Sequence, residues 1–316
     1  MYLKSRMLYL YTETPLHAGA GFGLGAVDLP IQRERSTGYP IVQASGLKGA
    51  LRSEIPEGDA DSEERKKHRA VFGPDWQHAD DHAGAFAPGD ARILLFPVRS
   101  LKGVFAWTTS LLALRRWQRE AVNMGLIVPP LPDTPPQQSQ CYATHGVVLD
   151  DRRNQIVLEE FTYEKLGDPT TENKNIITEV AKGLSALLPD ALDGYWKTQI
   201  QEKLVILPDD DFRDFVTHAT EVLTRIRLEP DTKTVAHGAL WTEEHLPVDT
   251  LLYAPVRATR LRIDQDQFPT DWAEIKSNPD GQAKAVLDFV QNSLQSRLQL
   301  GGDETVGRGI VGLKWS

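Results

Sequence analysis

The residues best able to do chemistry lie close together near the amino terminus, between Leu16 and Arg52. His17 stands at the end of an apparent strand. Glycines at 19, 21, 23 and 25 follow, then Asp28-Leu29-Pro30, Arg33 and Arg35, and a Gly38-Tyr39-Pro40 turn. Ser45-Gly46-Leu47-Lys48-Gly49 reads as the opening of a helix. Glycine lets the backbone reach φ > 0 and come close to a ligand. A helix amino terminus offers unpaired N–H groups that favour an anion. Bare backbone donors, a lysine, arginines and one carboxylate together suit a phosphodiester backbone. A mobile surface loop before an ordinary helix fits the same stretch equally well. Two familiar phosphate motifs are excluded. The glycines alternate instead of following G-x-G-x-x-G between a strand and a helix, and Gly49 follows Lys48 where a P-loop needs serine or threonine.

His78, Asp80, Asp81 and His82 also fall close together. They are metal-ligand types, but in a loop of aspartate, alanine and glycine a solvated turn is the commoner arrangement.

A length of 316 residues admits one large domain or two modest ones. With 41% apolar and 25% charged residues, the composition is that of an ordinary globular protein. The single cysteine, Cys141, excludes an internal disulfide and fits a reducing compartment. The first residues, MYLKSRMLYLYTETP, are too polar for a signal peptide, and no apolar run approaches the ~20 residues that span a membrane. A cytoplasmic location is expected. A net charge of −9 argues against a general nucleic-acid binder. Residues 1–52, however, carry six Lys/Arg against three Asp/Glu, so an acidic body bears a locally basic face.

The elements that position these groups can be read from pattern. Met7–Thr14 is a strand with Leu8 and Leu10 facing one way. Ser45 is expected to cap a helix reaching about Glu54. Residues 57–68 form a charged loop and helix start, which Val71–Asp75 stops. Ala91–Val98 is apolar enough for a buried central strand, with Val104–Trp107 as its neighbour. Thr108 or Thr109 should cap the next helix, with Leu111, Leu114 and Trp117 inward and Arg115, Arg116 and Arg119 in water. Residues 128–140 hold five prolines and make an extended excursion. An insertion to about residue 200 follows, with short strands near Val147 and Ile156 and a helix near 173–188. Lys203–Leu207 is a second buried strand, and Asp209 is expected to cap the helix after it. Val222–Leu228 alternates. Residues 232–262, broken by Gly238 and Pro247, read as a projecting hairpin. Gly281–Leu298 is an amphipathic helix, and Ile310–Trp315 a final strand. Just before that strand, Arg308 between Gly307 and Gly309 is placed to hold a phosphate against bare backbone.

Six stretches, HAGAG, VDLPIQRE, SGLKGALR, LLFPVRSLKGVFAW, GALWTEEHLP and GGDETVGRG, occur in this order from His17 onward. Together they resemble the backbone subunit of the Cmr effector complex of type III-B CRISPR systems, within the RAMP superfamily. The resemblance implies an α+β fold: a ferredoxin-like (RRM-type) palm with helical insertions and a protruding β-hairpin thumb. It implies a single RAMP domain over 1–316, with the Pro-rich excursion and insertion at about 128–200 and the thumb at about 232–262. Its wedge would lie around Val235–Leu246, with Leu240 and Trp241 as candidates. Copies would stack into a helical filament along a guide RNA (crRNA), beside other Cmr subunits and with no membrane partner. Each thumb would splay a nucleotide of the complementary target RNA.

By the same resemblance, Ser45, Gly46, Lys48, Gly49, Arg52, Arg33, Gly307, Arg308 and Gly309 would lie against RNA, as would Trp241. Asp28 would be the residue on which target cleavage depends, holding Mg²⁺ or Mn²⁺. From the residues themselves, His17, with an ordinary pKa near neutrality, is either a base or acid or a strand-end histidine hydrogen-bonded to the glycine loop, and stacking would let Glu243 and His245 assist from a neighbouring copy. The runner-up is a non-catalytic RNA-binding scaffold of the same fold, in which the Asp28 carboxylate caps a turn. A small-molecule enzyme with a glycine-rich phosphate loop lacks both a nucleotide pocket motif and a second catalytic group.

Overall fold

The computed structural model describes residues 1–23, 25–59, 62–149, 154–171, 174–264 and 267–316. Alternation along the strand Lys4–Thr12 explains the architecture. Leu8 and Leu10 enter one hydrophobic cluster, while Met7, Tyr9 and Tyr11 enter another, because successive strand side chains point to opposite faces. Both faces are covered, so central strands read as continuous apolar runs. Leu94, Leu95 and Phe96 are all fully buried for this reason.

The main sheet begins at Arg297–Gln299 and passes through Ile310–Trp315, Lys4–Thr12, Leu251–Ala258, Ala91–Ser100 and Val104–Ser110. It continues through Leu204–Leu207, Gln140–Ala143, Phe161–Lys165 and Gln155–Leu158. Ser100 opposite Leu158 links that far end back to Ala91–Ser100. On one face pack the helices Ala44–Glu54, Asp209–His218 and Pro279–Ser293, through Leu47 and Leu51, Phe212 and Val216, and Val286 and Val290. On the other pack Leu111–Asn123, Ile176–Ser185 and Gly194–Glu202, through Trp117, Val180 and Ile200. Each such buried side chain contributes about 1.5–3 kcal/mol. The fold is mixed α+β. Among the described residues no helix is long and apolar enough to cross a membrane.

Several expectations are corrected. The hairpin is not 232–262. Glu221–Leu228 pairs antiparallel with Val235–His245 as a separate two-stranded sheet, and Leu251–Ala258 is a central strand of the main sheet beside Lys4–Thr12. The first helix starts at Ala44, whose N–H donates to Asp90 Oδ1 at 2.8 Å, so Ser45 does not cap it. Ser110, not Thr108 or Thr109, accepts the Ala113 N–H at the start of Leu111–Asn123. Asp209 accepts from Leu112 N at 2.9 Å and so caps that same helix, not its own. The last helix ends at Ser293, and Leu298 lies in a strand. Val147 sits in a short 3-10 turn. The insertion's helix runs Ile176–Ser185; position 173, where it was expected to begin, and positions 60 and 61 of the charged stretch lie outside the described residues.

Candidate active site

The root of the hairpin is clamped by the amino-terminal loop. Leu16 and Leu246 exchange backbone hydrogen bonds, both at 2.9 Å. Leu29 N donates to Thr242 O, and Glu244 N donates to Leu29 O, each at 3.0 Å. Residues more than 200 positions apart in sequence thus form one short backbone ladder.

Asp28 sits on that ladder with its side chain exposed. Its Oδ2 accepts from Thr242 N at 2.8 Å and from Thr242 Oγ1 at 2.9 Å, and its own N–H donates to Thr242 Oγ1 at 3.0 Å. The Thr242 backbone N–H, then its hydroxyl, hold the Asp28 carboxyl below the usual carboxylate range, because both donors favour the charged form. Phe22 stands 90% exposed in the glycine loop. The next residue, Gly23, donates its N–H to Asp28 O at 2.8 Å, so an exposed aromatic ring stands one residue from a backbone bond to Asp28.

Arg33 and Glu244 fix the loop from beneath. Glu244 is buried and pairs with Arg33, while its carboxylate also accepts from Ile31 N at 3.1 Å and Thr220 Oγ1 at 2.8 Å. Arg33 further donates to Gly38 O and Val216 O, both at 2.9 Å, so it also satisfies a carbonyl at the end of Asp209–His218. His17 Nδ1 lies 2.7 Å from Glu244 O. A carbonyl only accepts, so Nδ1 carries a proton, and in the neutral ring the lone pair lies on Nε2.

On the hairpin strand, Glu243 and His245 meet Asp303 of the carboxy-terminal glycine loop. One ligand atom from each lies within 4.8 Å of the others. Glu243 accepts from Arg225 Nε at 2.9 Å and Trp241 Nε1 at 2.7 Å. Burial would raise its carboxyl, but the bonds from Trp241 and Arg225 outweigh it and hold the group below the usual range. His245 is fully buried, with Nε2 at 3.2 Å from Asp303 Oδ2 and Nδ1 without a partner among the described residues. Burial pushes its imidazole down, against the opposing bond from Asp303, and the charges of His17 and Arg308 push the same way. The His17 and His245 rings lie 5.4 Å apart. The glycine loop reaches them because Gly302 N donates to His17 O at 2.9 Å and Gly309 N to Pro15 O at 2.9 Å.

Residues 9–312 match the RAMP superfamily. The chain belongs to that superfamily. It is 38% identical to the CRISPR system Cmr endoribonuclease Cmr4 of Pyrococcus furiosus over 98% of this chain and 95% of that protein. It is 26% identical to the CRISPR system CMR subunit Cmr4 of Saccharolobus solfataricus, over 99% of this chain and 97% of that one. A crystal structure of oligomeric Cmr4 from Pyrococcus furiosus superposes with a TM-score of 0.67 at 30% identity, covering 99% of this chain and 98% of that one. The resemblance read from the six motifs is borne out.

Within this RAMP chain the expected site residues fall into four groups. Asp28, His17, Glu243 and His245 converge at the hairpin root. Asp28 is not one of the Glu243–His245–Asp303 ligand group, whose third member was not anticipated as a site residue. Ser45, Gly46, Lys48, Gly49 and Arg52 lie on the first helix; a Cβ added at Gly46 or Gly49 would meet nothing, so packing does not require glycine there. Burial, then the Arg52 charge, lowers the Lys48 ammonium, while Arg52 itself donates to Pro74 O at 3.2 Å. Gly307, Arg308 and Gly309 form the loop above His245. Arg33 and Trp241 are committed to protein partners instead: Arg33 to Glu244, Trp241 to Glu243. Leu240, at 62% exposed, leads a set of exposed apolar side chains on the hairpin that also includes Val222, Ile226, Leu228 and Val235. Thr242 and Arg225 were missed as site residues, since nothing local marks a threonine as the anchor of an aspartate 214 residues away. His78, Asp80 and Asp81 are exposed and His82 partly so, and among the described residues they form no ligand group.

Proposed function

We propose that the chain is the backbone subunit of a guide-RNA-directed type III-B CRISPR complex that cleaves complementary single-stranded RNA at regular intervals. The carrying observation is the exposed Asp28 carboxylate, held ionised by Thr242 at the root of a projecting hairpin. Full-length identity to an endoribonuclease Cmr4 supports the same reading. The main sheet then serves as a ferredoxin-like palm, and Glu221–His245 as the thumb, with Leu240 and Ile226 opposite one another as its apolar wedge. Copies stack along the guide, as the oligomeric relative suggests, and Lys48, Arg308 and the bare glycine backbone hold RNA phosphates.

Splaying a nucleotide aligns its 2′-OH with the adjacent phosphorus, which supplies the nucleophile and most of the orientation. The O2′–P bond forms, the P–O5′ bond breaks, and the 2′-OH proton passes to a base. His17 Nε2, the ring nitrogen not tied to Glu244, can take it. Phe22 offers a face for the splayed base to stack on. Thr242 keeps Asp28 ionised and aimed, and Arg33 keeps the loop in place.

The residues fit a divalent ion. Asp28 Oδ1 has no partner among the described residues, and Mg²⁺ needs only one or two carboxylates besides water. Glu243, His245 and Asp303 offer mixed donors that suit Mn²⁺ better than Mg²⁺, although Arg225 already compensates their charge, 2.9 Å from Glu243 and 3.9 Å from Asp303. An ion held by Asp28 would neutralise the scissile phosphate and ease departure of the 5′-oxygen.

The test is end-group analysis of target RNA cut by the guide-loaded complex, with Mg²⁺ or Mn²⁺ and with EDTA. Evenly spaced cuts that leave 2′,3′-cyclic phosphate and 5′-hydroxyl ends are expected, lost in EDTA. Tight binding with no cuts under any condition would leave the scaffold reading.

A further inference from the structure

The segment after the central strand, Thr259-Arg260-Leu261-Arg262-Ile263, is pinned from below. Thr259 N donates to Ala85 O at 3.0 Å, and Leu261, buried, donates its N–H to Gln282 Oε1 at 3.0 Å. Arg260 and Arg262 are left exposed on either side of Leu261. Among the described residues neither guanidinium has an ion pair or hydrogen bond, whereas Arg6, Arg92, Arg116, Arg257 and Arg297 all meet carboxylates.

Arg262 lines two adjoining clefts. One, of about 300 Å³, also takes Tyr2, Ser45, Lys48 and Thr259. The other, of about 500 Å³, takes Arg260, Phe268, Lys276 and Gln282. Among the described residues no aspartate or glutamate lines either. In a chain of net charge −9, Lys48, Arg260 and Arg262 stand in two neighbouring clefts with no carboxylate opposite them among the described residues, and a polyanion relieves their mutual repulsion. The first cleft opens on the bare face of Ala44–Glu54, where Lys48 is already partly desolvated.

We propose that the single-stranded RNA backbone held at Lys48 continues across both clefts, with Arg260 and Arg262 as two further phosphate contacts. This rests on the RNA-binding reading above and extends it to a segment that none of the six motifs contains. Backbone contacts of this kind are sequence-independent and release counterions.

The experiment is a salt series of guide-RNA binding by the complex assembled with wild type, with Arg260→Gln/Arg262→Gln, with the corresponding double lysine variant, and with Lys48→Ala. Each single-strand phosphate contact contributes about 0.7 to the slope of log K against log salt. The double glutamine variant should lose about 1.4 from that slope, and roughly tenfold in affinity near 0.15 M salt. The lysine variant should recover most of both, and Lys182→Gln, on the opposite face, should lose neither. If Lys48→Ala weakens binding but the double glutamine variant keeps wild-type slope and affinity, the extended track is overturned and the RNA-binding reading stands. A wild-type complex with no salt-dependent guide binding overturns both.

Discussion

Arg33 separates two accounts of the loop that carries Asp28. As an RNA contact it would be a solvated cation whose loss weakens binding and leaves the fold alone. In the structure its side chain is only 21% exposed and pairs with Glu244, 7% exposed. Removing one partner of such a pair strands the other charge, at about 3–5 kcal/mol. The residual exposure of Arg33 places Arg33→Met towards the lower end, roughly 3 kcal/mol for the stranded carboxylate. The lost donors to Gly38 O and Val216 O add up to about 1 kcal/mol. For a domain of this size about 2 °C of melting temperature goes with each kcal/mol, so Arg33→Met should melt about 6–8 °C below wild type. Glu244→Gln retains an acceptor for Ile31 N and should cost less. The double variant should be more stable than the summed losses imply, with a coupling of about 1–3 kcal/mol. Thermal melts of the four proteins read this directly. An Arg33→Met variant that melts within about 1 °C of wild type yet binds RNA poorly would refute the reasoning and restore Arg33 to the RNA-contacting set.

Other consequences are as specific. Burial holds His245 below its ordinary value of 6.5, so the unfolded chain takes up this proton before the folded one does. The stability contribution is whole above pH 6.5 and is lost as pH falls below it. His68, lowered by burial in the same way, adds to the effect, so the melting temperature should drop between pH 7.5 and 5.5, with a shallower drop in His245→Gln. Asp28 titrates below the usual carboxylate range, so the acid limb of target cleavage should not follow its protonation in the pH 5–7 range. Phe22→Ala should slow single-turnover cleavage by about tenfold to a hundredfold, the worth of one stacked base, with guide affinity unchanged and Phe22→Trp restoring the rate. A Cβ at Gly301 would lie 2.3 Å from His17 O, at φ +79. Gly301→Ala should therefore destabilise by about 1–3 kcal/mol or more and lower cleavage through His17.

Much of this was legible in the sequence because burial on both faces leaves a plain signal. Residues 93–98 of the strand Ala91–Ser100, and all of Leu204–Leu207, are apolar since both sides of the sheet are covered there. The loop from His17 to Lys48 stood out by composition alone. Pairing was not legible. Leu251–Ala258 is as apolar as any core strand, but Pro247 beside it looks like hairpin punctuation, and local pattern does not name a partner 240 residues back. The cap reads too early from sequence, at Thr108 or Thr109, because a third hydroxyl, Ser110, follows directly and only the depth of the incoming strand decides which one meets Ala113 N. Charge was the deepest difficulty: an arginine reads the same whether it faces a phosphate or, like Arg33, a buried glutamate 211 residues away. Asp303 was hidden for the opposite reason, since its surrounding glycines marked a turn and gave no hint that the turn closes over His245.

The most direct test of the account is single-turnover cleavage by the guide-loaded complex carrying Asp28→Asn. The substitution keeps the shape and an oxygen acceptor for Thr242 while removing the charge. Cleavage should fall by more than about a hundredfold, as for loss of a central charged group at a reacting phosphate, with target affinity and filament assembly unchanged. Cleavage near the wild-type rate in a fully assembled complex would contradict the claim that Asp28 is the centre of the reaction.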